Sequence, residues 1–228
     1  MKRPNMQHSS LTIEKMLEEA KAFCHDESAF ANSELFGITD GKAVGTYVEH
    51  KFKNRLKSKY DVLIGSSAKG IDFPSEEINT DVKVTSIKQP QSSCPFKTAE
   101  QKIFGLGYNV LLFVYDKVDS PETKTSQLKF VDCTFIEKDQ TADYQTTKSL
   151  INLLQNEATE EEVIAYLNDK NLPVDEIGLI KIAEKVLEHP PHQGYLTISN
   201  ALQWRLQYGR IVHLKESVTG ITKIVGKD

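Results

Sequence analysis

The run Asn109-Val110-Leu111-Leu112-Phe113-Val114-Tyr115, bounded by Asp116, constrains the fold more than any other stretch of this chain. Successive side chains of an extended segment point to opposite faces, so an unbroken apolar run needs apolar cover on both. Such a strand belongs in the middle of a sheet with helices packed on its two sides. The flanking sequence supplies the remaining layers. Residues 97–106 read as a helix closed by Gly107, and residues 128–136 as a further strand beyond a polar loop at 119–126. Upstream, strands are expected near 60–64, 71–73 and 80–87. They follow a helix over 43–57 on which Val44, Val48, Phe52 and Leu56 recur every fourth residue. A helix, three strands, a helix and two strands make an α/β core.

Residues 1–40 are expected to form an N-terminal helix and linker. The stretch 11–23 is apolar at 13, 16, 17, 20 and 23, with Ser10 or Thr12 as cap, and 25–40 reads as an acidic connection. Residues 41–140 hold the α/β core. From 141 to 228 the texture turns helical, over 144–155, 160–167 and 175–187, the last stopped by Pro190-Pro191. A fourth helix is expected over 198–208, followed by strand-like runs at 210–214 and 221–225 joined through Gly220. Helices followed by a hairpin suggest a winged-helix-like module.

With 228 residues, 39% of them hydrophobic, the chain can bury a sizeable core. No apolar run approaches the roughly 20 residues of a membrane span, and the N-terminus leads into no signal-peptide core. Cys24, Cys94 and Cys133 are odd in number and widely spaced, which suits a reduced, cytoplasmic protein. His189 and His192 have no third ligand nearby in sequence and read as part of a surface loop.

The chemistry concentrates in two short segments. If Thr80-Asp81-Val82-Lys83-Val84 is a strand, Asp81 and Lys83 share one face while Val82 and Val84 turn to the core. Asp72, in Gly70-Ile71-Asp72-Phe73-Pro74, is expected from a neighbouring strand. Two carboxylates suit Mg²⁺, and an adjacent lysine can orient or deprotonate a water that attacks a phosphodiester. Glu49 falls at the edge of its helix's apolar stripe beside Gly45, which aims it toward the sheet. It either joins the metal site or its surroundings, or pairs with Arg55 or another base.

Gly70-Ile71-Asp72 and Asp81-Val82-Lys83, with the helix of Glu49 ahead of them, resemble the PD-(D/E)xK nuclease superfamily and, within it, type II restriction endonucleases. Ile71 stands where the name of the motif puts Pro, a residue with no chemical role. The resemblance covers residues 41–116. It implies a central mixed sheet flanked by helices, Mg²⁺ held by Asp72 and Asp81 with help from Glu49, and Lys83 assisting the attacking water. It further implies cutting of specific double-stranded DNA to 5′-phosphate and 3′-hydroxyl ends by a homodimer, and a DNA methyltransferase as functional partner.

The net charge of −4 does not exclude such a substrate, because residues 41–102 carry eleven bases against seven acids. Lys51, Lys53, Arg55 and Lys57 form a basic run expected to face the phosphate backbone. The polar loop 87–95, with Lys88, Gln89 and Gln91, adjoins the Asp81 strand and is placed to touch DNA. Asn and Gln bond adenine bidentately and Arg bonds guanine, so Asn200, Gln203 and Gln207 of the fourth helix, with Arg210, are candidate base readers. That surface serves equally well for dimerisation. Two other activities fit the same residues: a repair or junction-resolving nuclease, and a non-catalytic DNA-binding regulator.

Overall fold

The computed structural model describes residues 9–65, 70–94, 96–199 and 205–226. In chain order these form β1 (Ser9–Ser10), α1 (Ile13–Ala29), β2 (Ala31–Asn32), α2 (Gly41–Lys59), β3 (Tyr60–Asp61), β4 (Thr80–Ser86), β5 (Gln91–Ser93), α3 (Gln101–Phe104) and β6 (Asn109–Ser120). There follow β7 (Thr125–Ile136), a 3₁₀ turn (Lys138–Gln140), α4 (Tyr144–Gln155), α5 (Glu160–Asp169), α6 (Glu176–Glu188), β8 (Thr197–Ile198), β9 (Arg205–Gln207), α7 (Gly209–Val212) and β10 (Ile221–Val225). The fold is mixed α/β. Two compact units interleave along the chain: Met1–Gln89, Leu111–Phe135 and Lys223–Asp228 in the first, Pro90–Val110 and Ile136–Thr222 in the second.

In the first unit the strand order is β10-β7-β6-β4, with β2 also paired to β7. The apolar run lies on β6, between β7 and β4, and residues 110–115 are all buried, as a central strand requires. Val44, Val48, Phe52 and Leu56 of α2 are fully buried, and the rings of Phe52 and Phe113 meet edge-on at 5.1 Å. The Thr12 hydroxyl caps α1 by accepting from Lys15 N at 3.3 Å, and Asp40 caps α2 by accepting from Lys42 N at 2.9 Å. α1 continues through His25 to Ala29, beyond the expected end at Phe23, because Cys24 and Glu27 extend its buried face. Two expected strands shrink. The stretch 60–64 pairs only at Tyr60 and Asp61, parallel to Ser9 and Ser10. Around Phe73 there is a single antiparallel bridge, to Thr80. β6 and β7 instead grow into a long hairpin, because their polar ends keep a strand's alternation and only 121–124 are needed to turn.

In the second unit α4 has the bounds its periodicity predicts. α5 opens with a capping box between Thr159 and Glu162, and Asp175 caps α6. Leu150, Val163, Leu167, Ile182 and Val186 of these helices share one core with Ile103. The expected helix over 97–106 is confined to the four residues of α3, cut short by Gly105 at φ +87° and Gly107 at φ +83°.

The expected helix over 198–208 is not formed at its described residues. Thr197–Ile198 and Arg205–Gln207 are strands of a sheet ordered β5-β9-β8, and the stretch at 210–214, expected as a strand, carries the short helix α7. The described residues therefore show no winged-helix recognition helix. The apolar positions Ile198 and Leu206 fit a helical stripe as well as they fit a strand. The buried Leu206 between exposed Arg205 and Gln207 reveals the period of two, and pairing to β5 realises it. Asn200 and Gln203 lie outside the described residues.

Cys24, Cys94 and Cys133 are buried thiols that form no disulfide. Among the described residues no helix is long and apolar enough to cross a membrane.

Candidate active site

Asp72 and Asp81 are brought together by the bridge between Phe73 and Thr80. Phe73 N donates to Thr80 O at 2.9 Å and Thr80 N returns to Phe73 O at 3.0 Å, closing a turn over 75–79. One further step of that antiparallel register sets Asp72 opposite Asp81, and directly opposed residues share a face. Asp72 thus reaches the site from a loop beside the bridge, where the sequence suggests a strand. Its backbone is held on the other side by Gly65, whose N–H donates to Asp72 O at 2.8 Å. A Cβ on Gly65 would lie 2.0 Å from the Ile71 carbonyl oxygen, so only glycine permits this approach. Val82 N then donates to Asp72 Oδ2 at 2.8 Å, tying the loop carboxylate to β4.

The electrostatics of the pair are unbalanced. Asp81 is only 4% exposed, and burial, opposed by the charge of Lys83 and reinforced by that of Asp72, pushes its pKa up to about 6. Lys83 follows on the same face of β4, its Nζ 2.7 Å from Asp81 Oδ2. The ion pair with Lys83 falls on a buried oxygen that takes no other partner among the described residues. A buried carboxylate beside a second carboxylate and carrying such an oxygen has the donor chemistry a divalent cation takes. The described residues contain no group of three His, Cys, Asp or Glu side chains placed to share a metal. Two carboxylates are nevertheless enough for Mg²⁺, which keeps several waters and takes substrate phosphate oxygens as further ligands.

Glu49 stands apart from that pair and is linked to it by Lys53. The Lys53 ammonium donates to Glu49 Oε1 and, at 2.5 Å, to Asp72 Oδ1. Burial alone would lower the Lys53 pKa, but the bonds to Asp72 and Glu49 outweigh it and hold the pKa above its usual value. Glu49 remains 32% exposed, and the base it pairs with is Lys53, one turn along α2. Gly45, one turn earlier, faces Val84 of β4, where a Cβ would make an ordinary 3.8 Å contact.

The rest of the basic run is engaged with α1. Lys51 pairs with Glu27 at 2.7 Å and lies over the Phe30 ring, while Arg55 bonds Glu19 and Asp26, each at 2.7 Å. Lys59 also bonds Glu19. The run is basic only in sequence: acids distant in the chain neutralise Lys51, Lys53, Arg55 and Lys59, and Lys57 is exposed in the last turn of α2. No signal in 41–59 alone announces this, because the partners Glu19, Asp26 and Glu27 come from another helix.

The other DNA-facing candidates separate by position. Lys88 and Gln89 are exposed in the turn after β4. Gln91 and Gln207, 116 residues apart in sequence, are directly paired partners on β5 and β9. Arg210 of α7 is exposed, its guanidinium 3.5 Å above the ring of Tyr144.

Comparison with known proteins gives a family. A family model described as type II restriction enzyme NspV matches residues 10–223. The type II restriction enzyme NspV of Nostoc sp. (strain ATCC 29411 / PCC 7524) is 51% identical over 214 residues, 94% of this chain and 96% of that protein. No solved structure matches.

Proposed function

Because the chain belongs to the NspV family of type II restriction enzymes, we propose that it hydrolyses a specific sequence of double-stranded DNA in a Mg²⁺-dependent reaction centred on Asp72, Asp81 and Lys83. One observation carries this reading: two carboxylates face each other across a tight turn, one of them buried and pushed to a pKa of about 6, with a lysine beside it. Among the described residues, Glu49, Asp72 and Asp81 share only the ammonium groups of Lys53 and Lys83, and an excess of carboxylate of that kind attracts a cation.

Asp72 and Asp81 would supply the two protein oxygens that hold the metal. When bound, the cation lowers the pKa of its water and offsets charge growing on the phosphoryl and leaving oxygens. Lys83, 2.7 Å from Asp81, keeps a proton-bearing nitrogen at the edge of the pair, where it orients the attacking water and faces the scissile phosphate. Lys53 holds Asp72 in place, and Glu49 holds Lys53, so that Glu49 acts on Asp72 through the lysine. In-line attack with departure of the 3′-oxygen yields 5′-phosphate and 3′-hydroxyl ends. The PD-(D/E)xK fold, a homodimer on a symmetric sequence and a protecting methyltransferase belong to the same proposal.

The test is incubation of plasmid or phage DNA with Mg²⁺ and the wild-type protein, Lys83→Ala or Asp81→Ala. Discrete fragments from the wild type, lost in both variants and on chelation, are expected. Cutting that persists in both variants would place the chemistry elsewhere, and cutting confined to branched DNA would make the protein a junction-resolving nuclease.

A further inference from the structure

The sheet of β5, β9 and β8 carries an arrangement that no single segment of sequence displays. Its register pairs Gln91 with Gln207 and Thr197 with Gln207, then Ser92 with Leu206 and Ile198 with Leu206, then Ser93 with Arg205. Ser199 continues the ladder opposite Arg205: Ser199 N donates to Arg205 O and Arg205 N donates to the Ser199 hydroxyl, each at 3.2 Å. Directly opposed residues point to one face, so the middle row and the two outer rows separate cleanly. The middle row, with Leu206 and Ile198 buried and Ser92 bonded to the buried Tyr208 hydroxyl at 2.6 Å, faces inward.

The opposite face is a grid of two rows: Thr197, Gln207 and Gln91 in one, Ser199, Arg205 and Ser93 in the other. All six are exposed or half-buried. None is acidic and one is a cation.

The grid is also held firmly from behind. Asp143, itself buried, accepts from Ile198 N at 2.8 Å through one oxygen and from Thr146 N and the Thr146 hydroxyl through the other, fastening β8 to the start of α4. Tyr208 N donates to Pro90 O at 2.8 Å and fixes the entry to β5. β5 and β9, about 4.8 Å apart, make a two-stranded ribbon of the width that a major groove about 12 Å across admits, with β8 alongside.

We propose that this face reads base edges in the major groove of the DNA, with Arg205, Gln207 and Gln91 as specificity-determining residues and Thr197, Ser93 and Ser199 as shorter donors and acceptors around them. The inference rests on the restriction-enzyme reading for its ligand, duplex DNA, and on the sheet register for its residues. Glutamine amides pair bidentately with adenine and the arginine fork with guanine, whereas a face serving only the backbone would be expected to carry several cations in place of amides. The strand takes the place of the helix on which Gln207 is expected from sequence, and it adds Arg205, which helical numbering sets on a different side.

The experiment uses the full chain without metal, so that binding is read independently of cutting. Duplexes bound from a random-sequence pool are selected and sequenced for wild type, Arg205→Ala, Arg205→Lys, Gln207→Ala and Gln91→Ala, with thermal melting to show that each is folded. The wild type should select one motif. Each alanine variant should relax one or two positions of it, with cognate affinity falling about 10- to 100-fold and an unchanged salt slope. Arg205→Lys should relax the same position, because the lysine keeps the charge and loses the fork.

Variants that select the wild-type motif unchanged would overturn the proposal. So would variants that lose affinity equally for all sequences, with a shallower salt slope, since that marks phosphate contact. A wild type that selects no motif overturns it as well. A wild type that selects a motif yet cuts nothing with Mg²⁺ sinks the nuclease reading and leaves this one standing.

Discussion

Two clusters of buried charge in the first unit are built from similar parts and come out opposite. Around Glu19, Arg55 and Lys59 each donate to the carboxylate and the Tyr60 hydroxyl adds a third bond. Burial would raise the Glu19 pKa, and the two cations outweigh it. Around Asp81, burial and the neighbouring Asp72 together outweigh Lys83, and the pKa rises to about 6. The first cluster answers its negative charge with two cations. The second sets two carboxylates side by side, with Lys53 turned to one and Lys83 to the other. The first network is compensated, whereas in the second Glu49 shares Lys53 with Asp72, leaving three carboxylates to two ammonium groups, as the proposed cation site requires.

The largest effect that sharpens this contrast is expected at Asp81. Asp81→Asn should lower the cleavage rate by at least ~1,000-fold, the scale of losing several kcal/mol of metal-assisted stabilisation. The same change should stabilise the metal-free protein at pH 7 by up to about 3 kcal/mol, since it removes a carboxylate raised by roughly two pKa units. Chemical denaturation without metal checks the second half, and a variant less stable than wild type would break the contrast.

Glu19→Ala should do the reverse. Removing the centre of a compensated network leaves Arg55 and Lys59 facing each other and costs about 2 kcal/mol, while cleavage well below the melting temperature stays within about threefold. Loss of cleavage in a variant shown to be folded would mean that Glu19 belongs to the active site.

The pH dependence separates the two clusters without mutation. Asp81 has a folded pKa raised above its unfolded value of 3.8, so the folded state binds the proton more tightly. Its contribution to stability therefore improves as pH falls through about 6 toward 4, by up to about 3 kcal/mol in the absence of metal. Glu19 has a lowered folded pKa, so its contribution is present above its unfolded value of 4.5 and is lost as pH falls below it. Metal-free stability should thus rise from pH 7 to about 5 and decline under more acid conditions, with the rise reduced in Asp81→Asn to what Asp132, also raised by burial, contributes. The smallest effect is at Lys57, where Lys57→Ala should change stability by less than about 0.5 kcal/mol.

Much of the first unit is legible in sequence because its signals are periodic and local. The stripe of Val44, Val48, Phe52 and Leu56 predicts which face of α2 is buried, and the alternation around Asp81 predicts that Lys83 shares its face. The basic run is misleading, because the charge of Arg55 depends on Glu19 and Asp26 of another helix. The region after Ile198 misleads differently: a few apolar residues with ambiguous spacing satisfy both a helix and a strand, and only pairing with β5 decides between them.

The sequence by itself determined the α/β class, the buried central strand and the shared face of Asp81 and Lys83, because spacing along one segment dictates which side chains share a face. Only the tertiary structure decided what those residues meet. It set Asp72 across from Asp81 through the Phe73 to Thr80 bridge, turned Lys53 inward between Glu49 and Asp72, and aligned Gln91 with Gln207 across 116 residues of chain. Periodicity constrains directions within an element; partners across elements follow from burial and backbone pairing, which a local pattern does not contain.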